Sequence, residues 1–216
     1  VASLSQLQSD VVAWLNRRDI APLIPSWVTM TETDISELLR ARCMVVRGSQ
    51  GIDGNFIGLP SGFLEMESMR DATTGKKLDL EDHWTGPLEA PTFPMPLGMQ
   101  PACTAYRLVG DCIEFLPHPI LPSPVPVGWV PQTVNMAWYE APRPLVNVAD
   151  TNPVLEKHYS IYLFGVCRYG AMYELDDARQ TQMDAQFGTA IEAANRWKVR
   201  SDYSGAPLRA VVRGFG

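Results

Sequence analysis

Asp79-Leu80-Glu81-Asp82-His83 places three carboxylates and an imidazole within five residues, the strongest catalytic candidate in the sequence. Carboxylate and imidazole side chains bind divalent metals and move protons. In an extended segment Asp79, Glu81 and His83 share one face and Asp82 points away. That set fits a metal-dependent hydrolase. No second His/Asp cluster lies nearby to complete a ligand set, so a solvated loop is the favoured reading, and no metal is assigned. His118, between Pro117 and Pro119, reads as an exposed polar residue in a strand-exit turn. His158 falls near the start of a helix, where it faces solvent or another subunit rather than a ligand.

Other chemistries are poorly supplied. The serines lack a G-x-S-x-G elbow. Gly48-Ser49-Gln50-Gly51-Ile52-Asp53-Gly54 is glycine-rich but lacks the P-loop lysine and the Ser/Thr after it, and reads as a flexible exit loop. The four cysteines (Cys43, Cys103, Cys112, Cys167) show no C-x-x-C spacing, which points to reduced thiols in a chain folded in the cytosol. Trp84, Trp129 and Trp138 would suit a carbohydrate-binding module, although aromatic residues are more often core. The expectation is of a protein that is not an enzyme, with no catalytic residue and no cofactor.

The elements that would position these residues are sorted along the chain. Leu4, Leu7, Val11, Trp14 and Leu15 mark one face of a first helix over 4–18. Pro22 and Pro25 permit only a short turn through Met30. Thr31-Glu32-Thr33-Asp34 resembles a capping box, and Ile35, Leu38, Leu39 and Cys43 continue a second helix. Fourteen of the 18 prolines fall between Pro60 and Pro144, where the pattern turns to β. Alternation over 58–69 sets Leu64, Met66 and Ser68 against Glu65, Glu67 and Met69. A Gly110-Asp111 turn pairs Val109 with Cys112, Leu108 with Ile113 and Tyr106 with Phe115, and it sets Arg107 across from Glu114. That register sends Cys103 towards His118 and away from Cys112, which argues against a bridge. Thr133 to Tyr139 forms a further strand. Asn152-Pro153 then caps a third helix with a continuous stripe through Tyr173, and Met183, Phe187, Ala190, Ile191, Ala194 and Trp197 mark a fourth. Tyr159, Tyr162, Phe164 and Tyr169 spread around the third helix, which therefore needs burial on several sides and suits a subunit interface.

The expected fold class is α+β: N- and C-terminal helices form a bundle, with an inserted antiparallel β lobe and an extended C-terminal arm. The expected boundaries are 1–47 plus 151–204 for the helical body, 48–150 for the lobe and 205–216 for the arm. A hydrophobic fraction of 46% with 19% charged residues suits a globular protein. Charges break every apolar run short of a membrane span, and the opening VASLSQLQSD has no signal-peptide pattern. A net charge of -6 argues against gripping nucleic acid.

Trp14 to Ile20, Ile24 to Val28, Glu32 to Ile35, Leu38 to Met44, Leu59 to Glu65, Tyr106 to Pro117 and Asn152 to Asn195 together cover well over half the chain. In this succession they resemble the head-to-tail adaptors of short-tailed bacteriophages, the tubular tail protein A class. Trp27, Ser36-Glu37 and the proline-rich 86–101 segment depart from that pattern. The resemblance implies a virion tail or neck protein, made and assembled in the host bacterial cytoplasm. It implies a homo-oligomeric ring of twelve copies between the portal protein and the tail nozzle protein, with tail fibres as a further partner and no membrane. DNA would pass through the lumen without specific binding, and twelve copies at -6 give about -72 to repel it. Tyr159, Tyr162, Phe164 and Tyr169 would line the subunit interface. Leu208, Arg209, Val211, Arg213 and Phe215 in the arm would meet the portal. A head-completion or neck protein of a longer-tailed phage is the alternative within the virion.

Overall fold

Two patterns of apolar spacing, one helical and one alternating, separate the chain into two compact units: residues 1–44 with 142–216, and residues 45–141. The computed structural model describes residues 2–81, 103–118 and 132–202, the last six by backbone alone. His83, Trp84, Trp129, the 86–101 segment and the expected arm at 205–216 lie outside the described residues. The class is α+β, as the patterning predicts: among the described residues there are five α-helices, with strands between the N- and C-terminal helical segments in chain order.

In the helical unit, α1 (Leu4–Leu15) starts at Ser3, whose side chain accepts the Gln6 N–H, and buries Leu4, Leu7, Val11 and Leu15. Trp14 departs from the expected face. It is half exposed, with its ring edge-on to Phe164 at 5.8 Å.

The second helix differs from its sequence reading. α2 (Ile24–Leu38) begins before the supposed capping box. Pro25 sits in its first turn, where a missing N–H costs nothing. Thr31 lies mid-helix, where its hydroxyl donates to the Trp27 carbonyl at 2.8 Å instead of capping. Beyond Leu38 the helix does not continue to Cys43; Leu39 is extended. Asn195 takes over the loose ends there, donating to the Leu38 carbonyl at 3.1 Å and accepting the Arg40 N–H at 2.9 Å.

Asn152 and Pro153 start α3 (Pro153–Lys157) as expected, with the Asn152 side chain accepting the Leu155 N–H. The continuous third helix is broken, however, at His158 (φ -132, ψ 50), and α4 (Tyr159–Tyr173) follows. The many-sided burial required of α4 is supplied within the unit, by α1, α2, α3 and α5 (Asp177–Asp202). Close crossing is what the small residues permit. A Cβ on Gly165 would stand 2.4 Å from Thr31 Cγ2, and one on Gly170 would stand 2.4 Å from Leu15 Cδ1. Met183, Phe187, Ile191 and Ala194 carry the buried stripe of α5.

The described residues of the β unit form two sheets. One has the order β1 (Val45–Gly51), β7 (Thr133–Glu140), β3 (Phe63–Asp71), all antiparallel. The other has the order β2 (Phe56–Gly58), β6 (Cys112–Leu116), β5 (Ala105–Val109), β4 (Asp79–Leu80), with β4 parallel to β5. The β5–β6 hairpin adopts the expected register, with Tyr106 opposite Phe115 and Arg107 opposite Glu114. The glycine-rich segment is no loop through Gly51: β1 pairs along its whole length with β7, and the Trp138 ring packs close over Gly48, 3.1 Å from where a Cβ would stand. The alternation over 58–69 also shifts. A register break between Met66 and Ser68 turns Met69 inward, where it is fully buried. Met69, Ile113, Phe115, Val134, Met136 and Trp138 form the centre of this core.

Candidate functional site

The sequence candidates do not converge on an active site among the described residues. Asp79 and Glu81 sit on and just after the short strand β4, Asp79 exposed and Glu81 half-buried. Among the described residues no group of three or more His, Cys, Asp or Glu side chains is placed to hold a metal ion. Trp138 is interior and offers no face to a sugar ring.

His118 is not the exposed residue its flanking prolines suggest. Its Nε2 lies 2.8 Å from Glu114 Oε1, and its Nδ1 lies 3.4 Å from Asn55 Nδ2. Glu114 is buried and also accepts from Arg107 Nε. The Arg107 hydrogen bond, ahead of the opposing effect of burial, holds the Glu114 carboxyl below its ordinary range, and His118 adds to it. The cluster ties the hairpin exit to its first strand and leaves Glu114 little room for chemistry.

The four aromatic residues expected at a subunit interface each engage another part of the helical unit. Tyr159 donates to Asp10 Oδ2 on α1. Tyr162 is fully buried; its hydroxyl accepts from Asn152 Nδ2 at 2.8 Å and donates to Glu32 Oε1 at 3.4 Å. Tyr169 donates to Asp34 Oδ2 at 2.7 Å, beside the Arg168–Asp34 ion pair. Phe164 remains half-buried against Trp14.

A concave feature among the described residues of the helical unit has the size of a binding site. The break at His158 and the turn at Arg42 to Met44 open a groove of about 630 Å³ against α5. Arg42, Lys157 and His158 line it together with Ala190, Ala193 and Ala194 of α5. The alanines leave the space because they carry too little bulk to fill it. Burial is the main force on both titratable groups in this corner: it pushes the Cys43 thiol up, against the pull of Lys157, and pushes His158 down, with Lys157 adding to the effect. These directions oppose the thiolate–imidazolium pair that cysteine catalysis requires. The groove combines the cations Arg42 and Lys157 with the small apolar side chains of three alanines. Sequence reasoning missed it because its lining comes from three separate segments, at 42–43, 157–160 and 190–194. The Ala190, Ala193, Ala194 run on one helix is the only local sign.

Among the described residues no helix is long and apolar enough to cross a membrane. No curated protein matches the chain. A family model described as SU10 adaptor protein matches residues 2–211, nearly the whole length. With its helical unit, its β unit and this match, the chain belongs to the SU10 adaptor protein family, whose members are structural adaptors of phage virions.

Proposed function

We propose that this adaptor forms a twelve-membered ring joining the portal to the tail nozzle of a short-tailed phage, and that the ring forms part of the DNA ejection channel. The family match over residues 2–211 carries the reading. The helical unit supports it physically. Its core is closed by four helices around α4, so a subunit can keep its shape while presenting outer faces to neighbours. A closed ring uses two different faces of each copy. The half-exposed pair Trp14 and Phe164 supplies apolar surface for such a contact, alongside Tyr159 and Tyr169. The arm residues Leu208, Arg209, Val211, Arg213 and Phe215 reach the portal, adding a strand or wedging between its subunits. The net charge of -6 per copy lets DNA pass without sticking.

Mixing the purified chain with its portal protein and imaging the product tests this reading. Twelve-fold rings seated on the portal are expected. A chain that stays monomeric beside its portal overturns it.

A further inference from the structure

Leu175 occupies the turn between α4 and α5 with φ 57, and it is 87% exposed. At the end of a helix this left-handed position is where glycine or asparagine is the usual choice. A leucine there gains nothing from its own fold: the backbone is disfavoured for a branched side chain, and the side chain is left in water. Met172 and Tyr173 beside it are also exposed. The three make an apolar tip at the end of the α4–α5 hairpin. Its carboxylates are sorted. Glu174 pairs with Arg17 and Arg179, and Asp176 pairs with Arg179. Asp177, exposed, makes no ion pair among the described residues.

The groove lies at the other end of α4, beside Ser160. Three alanines give it apolar surface, and Lys157 in its lining is an exposed cation that makes no ion pair among the described residues. Tip and groove are therefore matched in apolar character and opposite in charge, Asp177 against Lys157. They cannot meet within one copy, because Ser160 and Met172 are separated by about 18 Å of helix. We infer that the tip around Leu175 of one copy inserts into the groove between His158 and Ala194 of the next, with Asp177 meeting Lys157. Such a contact joins unlike faces and propagates from copy to copy, which is what ring closure needs. The inference rests on the ring reading and names the contact that builds it.

Half-buried Cys43 lies in the groove and provides the probe. The full chain carrying Leu175→Cys is assembled with its portal, oxidised, and run without reductant. Because a disulfide needs Cβ atoms about 4 Å apart, a link to Cys43 can form only between copies. A ladder of linked species is expected, lost when Cys43→Ser is added. Leu175→Asn, which suits the same backbone conformation, is expected to weaken ring formation at least tenfold without lowering the melting temperature. Lys157→Glu is expected to do the same, with recovery on adding Asp177→Lys. Rings that form with no ladder, or that tolerate Leu175→Asn, overturn the tip-in-groove contact and leave the ring reading standing; residues 203–216 or the portal would then be the occupant. Wild-type chain that never forms rings overturns both.

Discussion

The Glu32 carboxylate accepts the backbone N–H of Leu145 at 2.9 Å inside the helical unit, joining α2 to the segment that leads into α3. Burial, ahead of the opposing hydrogen bonds from Leu145 and Tyr162, raises its pKa above the ordinary glutamate value. The folded chain thus binds this proton more tightly than the unfolded chain. Stability is gained as pH falls through the raised folded value, and the gain is complete below the unfolded one. Glu32→Gln keeps an acceptor and removes the titration. Thermal unfolding between pH 8 and pH 4 should therefore show wild type gaining on Glu32→Gln as pH falls. Glu32→Ala leaves the Leu145 N–H without its acceptor and should cost about 1–3 kcal/mol.

In the β unit the acid response has the opposite sign. Burial acts to raise Asp71, but hydrogen bonds from Thr74, Gln132 and Thr73 outweigh it and hold the carboxyl low. Glu114 is held low by Arg107. A depressed carboxylate contributes stability above its unfolded pKa, and that stability is lost as pH falls through the folded value. Hydrogen exchange resolved by segment should show protection in β3 and β6 falling below about pH 4, the ordinary carboxylate range. The α2 amides around Glu32 should hold theirs.

Gly165 and Gly170 should be intolerant of a methyl group, although alanine is the better helix former. Each substitution drives a Cβ into a neighbouring helix's side chain. Overpacking of this kind costs about 1–3 kcal/mol, more than the propensity gain of roughly 1 kcal/mol. Gly188 on α5 has nothing within 4 Å of its Cβ position, so Gly188→Ala should be neutral or stabilising. Urea midpoints for the three variants check the contrast.

Deleting Leu208 to Gly216 should leave the melting temperature within a degree or two of wild type and weaken docking to the portal. Full infectivity and normal tailed particles from the deletion mutant would remove the arm from the portal contact.

What the sequence revealed depended on whether a local signal and a second constraint agreed. The β5–β6 register was readable because the Gly110-Asp111 turn and the Arg107–Glu114 pair demanded the same alignment. The Asn152-Pro153 start was readable because capping is local chemistry. The start of α2 was not. Pro25 fits a helix opening as well as a helix break, and threonines cap or bond one turn back with equal ease. The break at His158 carries neither glycine nor proline, so the stripe through Tyr173 read as one helix. The inward turn of Met69 needed the bulge in β3, which no alternation count reveals. The groove was least legible of all, since Arg42, Lys157 and Ala194 meet only after the chain has folded.

The 15-residue span of α4, bounded by the break at His158 and the left-handed turn at Leu175, makes this helix a ruler. One residue inserted within it would advance everything beyond by about 1.5 Å and swing it through about 100°. Gly165 and Gly170 would then no longer face Thr31 and Leu15 together, and Leu175 would point elsewhere. The length of α4 is thus locked from inside by two helix crossings and from outside by the direction of the tip. Relatives are expected to differ in its surface residues while keeping its count, so that subunit spacing is inherited as a number of residues.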